Sequence, residues 1–381
     1  MKVIEVISDT NVGGAGRLLL TRLSASKNAE IDTTLLLPSG SALESRAQAL
    51  GIKVRTFDGC KDVSFDVRSV GKLCGVIKEI EPDVINCHGC MSARIAAAVC
   101  RVPHRIYTRH CAYPVPTYLR IFPIKQIISL TDRILSSGAI AVADAAKKNL
   151  IDMGISEKRI RVIINGVEGL RKYSAEKRAS VRKELGVDGC FVVGICARIE
   201  SCKGHEDLLR AARMLLRDDE RYRFIIVGDG SLYTQMRQLA DALGIYDKVI
   251  FTGFTDDVEK YFNCFDLNVN CSVGTETSSL ALSEGMSIGL PSVASSYGGN
   301  PYMVRHGENG LIYTAGDFVS LAMMIRCIFE DRRSYEKMSQ NAYSRFLSEL
   351  NSRNMTEQTE AFYLELYRGS ASKSGSEDLA T

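Results

Sequence analysis

No apolar run in this 381-residue sequence reaches the ~18 residues that a membrane-spanning helix requires, so no such helix is expected. A surplus of one charge is also lacking. Lys and Arg total 48 against 45 Asp and Glu, a net charge of +3, which argues against a dedicated nucleic-acid binder. In Met1-Lys2-Val3-Ile4-Glu5-Val6-Ile7 an acid stands where a signal peptide would be apolar, and no cleavage pattern follows. A cytoplasmic chain is expected. The twelve cysteines then read as reduced thiols, most of them in apolar stretches such as Ala96–Cys100 and Val192–Cys196. Cys87-His88-Gly89-Cys90 has CxxC spacing, but a zinc site lacks a second well-spaced pair of ligands, since only His110-Cys111 is available. No metal is expected.

What is present is an ordinary globular composition, 45% hydrophobic and 24% charged, with length for about two domains. β-Branched runs alternate with helical patterns. Strands are expected at Val3–Ser8, Thr33–Leu37, Lys53–Phe57, Val84–Cys87, Arg105–Thr108 and Ile134–Ser136. A second series is expected at Val192–Ala197, Phe224–Val227, Val249–Thr252, Leu267–Asn270, Ser292–Ala294 and Gly310–Tyr313. Such alternation implies parallel sheets with covered faces. Two successive series predict an α/β chain of two doubly wound, Rossmann-like domains rather than one barrel. The boundaries read as 1–165 and 166–345, then a helical segment 346–368 packing back on the first domain, and a disordered Ser/Gly-rich tail at 369–381. Open parallel sheets bind ligands at the carboxyl ends of their strands, which places the expected site in a cleft between the domains.

Several strand-end groups could carry chemistry there. Gly13-Gly14-Ala15-Gly16 follows the first strand, although its spacing is not GxGxxG and a plain tight turn would look the same. Arg198 and Lys203-Gly204 follow a strand of the second half and could neutralise a diphosphate, or be solvated charges. Gly228-Asp229-Gly230 and Gly253-Phe254 could hold a base and ribose, or be turns. Glu276 and Glu284 flank a helix start capped by Ser278 or Ser279, with amides at Ser278–Leu280 aimed at an anion. Carboxylates suit sugar hydroxyls because an ionised carboxylate only accepts hydrogen bonds. His88 and His110 end successive strands of the first half and can act as base, donor or charge stabiliser.

Taken together these motifs resemble the family 4 glycosyltransferases of GT-B fold, from Met1 to about Tyr367. The most specific match is the Glu276–Glu284 block, which looks like the family's E-x7-E segment, with Gly289-Leu290-Pro291, Gly298-Gly299-Asn300-Pro301 and Gly307-Glu308-Asn309-Gly310 after it. Gly194–Arg198 with Lys203-Gly204 looks like the family's diphosphate motif, and His110 matches the active-site histidine. The resemblance implies a retaining transfer from a nucleotide-diphosphate sugar, UDP-linked in preference to GDP-linked. It implies no cofactor, with Arg198 and Lys203 in place of a metal. Glu284 would bind ribose, and Glu276 the donor sugar. Gly14, Gly228, Gly230, Gly253, Phe254, Ser278, Ser279 and Leu280 would complete the donor contacts. His110 would contact the donor sugar or stabilise charge at the anomeric carbon. Gly13, Gly14, Gly16, His88 and Arg109 would face a saccharide or lipid-linked saccharide acceptor. Three positions depart from the family: Ile164 replaces a Pro, Tyr302 an acid, and Thr277-Ser278-Ser279 a Gly-Phe-Gly. A GT-B sugar-nucleotide epimerase, a dinucleotide-dependent dehydrogenase and a non-catalytic sugar-nucleotide binder remain as alternatives.

Between Asp83 and Asp132 there is no acid at all. Arg94, Arg101, Arg105, Arg109, Arg120 and Lys125 give that stretch a charge of +6, among Tyr113, Pro114, Tyr118, Leu119, Ile121 and Phe122. Basic residues mixed with aromatic and apolar ones suit peripheral contact with the inner membrane face, or a buried segment beneath the site.

Overall fold

The computed structural model describes residues 1–112 and 115–377, with 370–377 as backbone only; Tyr113 and Pro114 lie outside the described residues. The chain forms two compact units, Met1–Gly166 with the segment from Ser352 onward, and Val167–Asn351.

Unit 1 holds β1 (Lys2–Ile7), β2 (Asp32–Pro38), β3 (Val54–Phe57), β4 (Val84–His88), β5 (His104–Arg109), β6 (Gly138–Ala141) and β7 (Ile160–Val162). All pairings are parallel, in the order β3-β2-β1-β4-β5-β6-β7. β4 is buried along its whole length, as a strand covered on both faces must be, and its apolar residues Val84, Ile85 and Cys87 follow from that. Unit 2 holds β8 (Phe191–Cys196), β9 (Tyr222–Val227), β10 (Val249–Gly253), β11 (Leu267–Asn270), β12 (Ser292–Ser295) and β13 (Gly310–Tyr313), in the order β10-β9-β8-β11-β12-β13. Its helix His205–Asp218 buries Leu208, Leu209, Ala212 and Leu215, an i, i+1, i+4, i+7 face set against the sheet.

Four details differ from the sequence reading. β7 (Ile160–Val162) is not among the expected strands, because three residues are too short a run to show a period. Ile134 and Leu135 end a helix, Ile124–Leu135, and the strand is Gly138–Ala141. Ile127, Leu130 and Ile134 recur at helical spacing, whereas 138–141 is a short run of small residues plus one Ile, buried on both faces. The change of unit comes at Ser352 rather than 346, because Phe346 and Leu350 are buried in unit 2, where Leu350 O accepts from Val167 N at 3.0 Å. The last helix is Ser352–Glu377, so the backbone through 377 is helical, and residues 378–381 of the expected disordered tail lie outside the described residues. Within unit 1 this helix packs on the helix Gly14–Ala25, and Thr356 Oγ1 donates to Arg22 O at 3.2 Å. Among the described residues no helix is long and apolar enough to cross a membrane.

Candidate active site

Each sheet reverses its strand order once, between β1 and β4 and between β8 and β11. The crevice at such a reversal is where doubly wound sheets bind ligands. The sequence-predicted residues gather at these two places.

In unit 1, β1 and β4 pair so that Glu5 lies beside Asn86 and Ile7 beside His88. Glu5 is wholly buried and forms an ion pair with Arg22. Tyr363 Oη donates to Glu5 Oε1 at 2.8 Å, and Asn86 Nδ2 donates to Glu5 Oε2 at 3.1 Å. Burial opposes ionisation of Glu5, but Arg22, His88 and Tyr363 together hold its carboxyl below the usual range. His88 Nε2 lies 2.8 Å from Glu5 Oε2, and His88 Nδ1 lies 2.7 Å from His110 Nε2. An ionised carboxylate accepts only, which sets the order of protons. His88 Nε2 carries hydrogen toward Glu5, His88 Nδ1 accepts from His110 Nε2–H, and His110 Nδ1 is left as a bare lone pair. That nitrogen has no partner among the described residues. Burial, and then the neighbouring His88, lower the His110 pKa to about 3, so the ring is neutral at physiological pH. It is built to accept a hydroxyl hydrogen bond, not to stand as a cation.

The other unit 1 residues divide. Gly13 caps the helix Gly14–Ala25, and a side chain on Gly14 would meet nothing within 4 Å, which leaves its backbone open to a ligand. A Cβ at Gly16 would lie 2.8 Å from Leu43, so Gly16 serves packing. Arg109 donates to Asn149 Oδ1 at 2.9 Å. Cys87 and Cys90 are buried, and burial raises both thiols, Cys90 to about 12. No group of three His, Cys, Asp or Glu is placed to hold a metal ion among the described residues.

In unit 2, Glu276 is buried and three donors converge on its Oε2: Lys203 Nζ and Ser272 Oγ at 2.8 Å each, and Asn270 Nδ2 at 3.2 Å. The preceding Thr275 has φ 50°, an unfavourable conformation for a β-branched residue, and the turn is held from behind. Cβ atoms on Gly298 and Gly299 would fall 1.9 and 1.7 Å from the carbonyl oxygens of Glu276 and Thr277. Only glycine lets these two backbones meet. Asn300 then bonds Asn270 Oδ1 at 3.2 Å and Ser295 Oγ at 3.0 Å. The Gly298–Pro301 motif is thus a buttress for Glu276.

Ser279 caps the helix Leu280–Ser287 through the Leu282 amide and also accepts from Asn270 Nδ2 at 2.9 Å; Ser278 is half-buried beside it. Glu284 lies buried in the second turn. Arg198 is exposed just past β8. A Cβ on Gly228 would fall 2.1 Å from Ala197 O, and one on Gly230 2.4 Å from Ile199 O, so these glycines let their loop close on the segment that carries Arg198. Gly253 O accepts from Gly228 N at 3.1 Å, and Phe254 next to it is 74% exposed, an unusual place for an aromatic ring.

Glu5, Asp9, Arg22 and Tyr363 escaped the sequence reading, as did Asn270 and Ser272. An acid inside the apolar strand Lys2–Ile7 was the available signal for Glu5. Asp9 sits past the end of β1, and its pKa is raised by burial and by Asp62, with His88 opposing.

Residues 12–168 match the family described as Glycosyltransferase Family 4, and residues 176–345 match Glycosyl transferases group 1. The chain belongs to the family 4 glycosyltransferases. It is 23% identical over 287 residues to the N-acetyl-alpha-D-glucosaminyl L-malate synthase of Bacillus anthracis, covering 68% of this chain and 74% of that one. It is 22% identical to the UDP-Gal:alpha-D-GlcNAc-diphosphoundecaprenol alpha-1,3-galactosyltransferase of Escherichia coli, over 96% of this chain and 97% of that one. Among solved structures it resembles Anabaena Alr3699/HepE, crystallised with UDP, with a TM-score of 0.82, 22% identity and coverage of 95% of this chain and 99% of that chain. The fold of this glycosyltransferase is GT-B.

Proposed function

We propose that the protein transfers a sugar from a UDP-sugar, with retention at the anomeric carbon and without a metal, to a hydroxyl of a saccharide or lipid-linked saccharide in glycoconjugate synthesis. The observation that carries this reading is the bond between half-buried Lys203 and buried Glu276, past the ends of β8 and β11 where the strand order reverses, with Arg198 on the same loop as Lys203. Arg198 and Lys203 take the charge of the departing diphosphate, the work a divalent ion does elsewhere. Glu276 Oε1, which takes none of the three bonds to Oε2, accepts from a hydroxyl of the donor sugar. Glu284 accepts from the ribose, and exposed Phe254 stacks on the base. The bond from the anomeric carbon to the diphosphate oxygen breaks as the acceptor oxygen bonds to the same face. The acceptor proton passes to the departing diphosphate. His110 Nδ1 accepts from a donor-sugar hydroxyl and steadies the ring as charge develops. Uridine is favoured because the Escherichia coli relative and the Anabaena structure both carry it in their names.

A thermal-shift screen of UDP-, GDP-, ADP- and dTDP-sugars tests the donor. A ligand at about 100 Kd adds roughly 2.7 kcal/mol, a rise of a few degrees. UDP-sugars should give it and Lys203→Ala should abolish it; no shift with any of them sinks the donor site. Proton coupling at the anomeric position of the product tests retention, and an inverted product refutes it. Products formed without acceptor would favour the epimerase.

Unit 1 further suggests a cytoplasmic protein that docks on a membrane. Tyr118, Ile121, Phe122, Ile127, Leu130 and Ile134 are each more than half exposed, with Arg120, Lys125 and Arg133 among them. Flotation with vesicles containing phosphatidylglycerol should carry the protein upward at low salt. Protein left wholly in the pellet would exclude this docking.

A further inference from the structure

The helix Ile124–Leu135 is amphipathic, yet of its twelve residues only Asp132 is classed as buried. Beneath it lies a cavity of about 430 Å³, within the size range of small-ligand pockets. Ile127, Ile128 and Leu135 line it from this helix, and Leu150, Met153 and Ile155 line it from the segment after β6, Leu150 and Ile155 being buried in the core. The lining also includes the strand ends Thr108, Arg109 and His110. Asp132, the only acid among the lining residues, is neutralised by Arg94 and Arg159, each at 2.9 Å. Arg109 Nε and His110 Nδ1 have no partner among the described residues.

The pocket is open to solvent and six of its lining side chains are aliphatic, so a hydrocarbon chain that entered it would take that apolar surface out of water. At one end Ile127 both lines the cavity and is 59% exposed, so the rim joins the outer apolar stripe. The other end carries the histidine and an arginine suited to an anionic group. The gap is therefore apolar from the surface inward and becomes cationic beside the reacting histidine, the profile of a hydrocarbon tail followed by a phosphate.

The geometry points to this cavity as a binding site for the hydrocarbon chain of a lipid-anchored acceptor, its phosphate linker at Arg109 and its sugar beyond, at His110. This rests on unit 1 being the acceptor half of the transferase. It goes further by assigning the acceptor to amphiphiles whose chain enters the protein rather than staying in the bilayer.

Calorimetric titration of the full chain with hexyl, octyl, decyl and dodecyl phosphate below their aggregation limits tests it, with inorganic phosphate as the headgroup alone. Each buried methylene should raise affinity about fourfold, until the cavity is full and the series levels off. Binding should show a negative heat-capacity change. Ile128→Trp and Met153→Trp fill the gap from two different segments of the chain, and each should weaken decyl phosphate binding at least tenfold. The chain has no tryptophan of its own, so the new indole also reports by fluorescence whether alkyl phosphate reaches it. UDP binding on the same samples reports that unit 2 is intact. Its failure would remove the donor reading and leave the chain-length result standing. Affinity independent of chain length, equal binding of inorganic phosphate, an increase that never levels off, or full binding in both tryptophan variants would overturn the assignment.

Discussion

His88 Nδ1 and His110 Nε2 lie 2.7 Å apart, and the bond between them ties His110 to the buried Glu5–Arg22 pair. The arrangement fixes which nitrogen of His110 is bare. His88→Phe removes the acceptor, so His110 can turn over or change tautomer while the donor pocket in unit 2 is untouched. Loss of one neutral hydrogen bond of about 1 kcal/mol predicts a fall in kcat of roughly tenfold or less. The KM for the donor should hold, and His88→Asn, whose Oδ1 can still accept from His110 Nε2–H, should recover most of the lost kcat. His110→Ala should cost more, on the order of a hundredfold in kcat. Steady-state kinetics at pH 7.5 distinguish the two, and a His88→Asn variant no faster than His88→Phe would refute the positioning role.

The same cluster predicts a large effect on stability. Glu5→Ala leaves the buried Arg22 guanidinium without its carboxylate, and breaking a buried pair costs about 3–5 kcal/mol. Tyr363→Phe removes one donor to Glu5 and the acceptor for Asn86, for about 1–3 kcal/mol. Because Tyr363 belongs to the last helix, deleting the chain from Ser352 onward should destabilise unit 1 by more than Tyr363→Phe does. Urea denaturation of the variants measures all three, and a truncated chain as stable as the full one would show that the helix is dispensable.

How much of this was legible in the sequence follows from what each signal depends on. Strand–helix alternation and helix caps are local, so the two sheets, a serine cap at 278 or 279 and nearly all strand positions could be read directly. Ile134–Ser136 was misread because three apolar or small residues carry no period, and only the longer 127–130–134 spacing shows the helix. The Glu5–Tyr363 and Lys203–Glu276 bonds join positions far apart in the chain, and no local pattern encodes such a partner. Gly228-Asp229-Gly230 reads in the sequence as either a ligand loop or a turn, and no local signal shows that Gly228, Gly230, Gly298 and Gly299 make room for neighbouring backbone.

Low pH should destabilise the fold through its neutral histidines. Burial holds His110 down to about 3 and His205 to about 4, against about 6.5 for free histidine. Between those values the unfolded chain binds protons that the native state refuses, so stability falls as pH drops from about 6.5 toward 4 and is fully present above 6.5. Denaturation midpoints at pH 7.5, 6 and 5 should descend. The slope should flatten in His205→Leu, whose ring nitrogens have no partner among the described residues. A midpoint that stays level over this range would contradict the assigned neutral state.

The buttress behind Glu276 gives the sharpest test of the donor site. A methyl group at 299 would sit 1.7 Å from Thr277 O, and neither backbone can yield without moving the turn that carries Glu276. Gly299→Ala should therefore weaken UDP-sugar binding as Glu276→Ala does, although residue 299 need not touch the donor. Gly244→Ala is the control: a Cβ there meets nothing within 4 Å, its φ of 66° costs only about 1–2 kcal/mol of local strain, and it has no part in the donor contacts. Comparing the Kd for a UDP-sugar with the unfolding midpoint in each variant separates the two effects. Gly299→Ala should lose affinity out of proportion to stability, and Gly244→Ala should lose stability without a matching loss of affinity. If Gly299→Ala binds donor normally, Glu276 is not held in place by this contact.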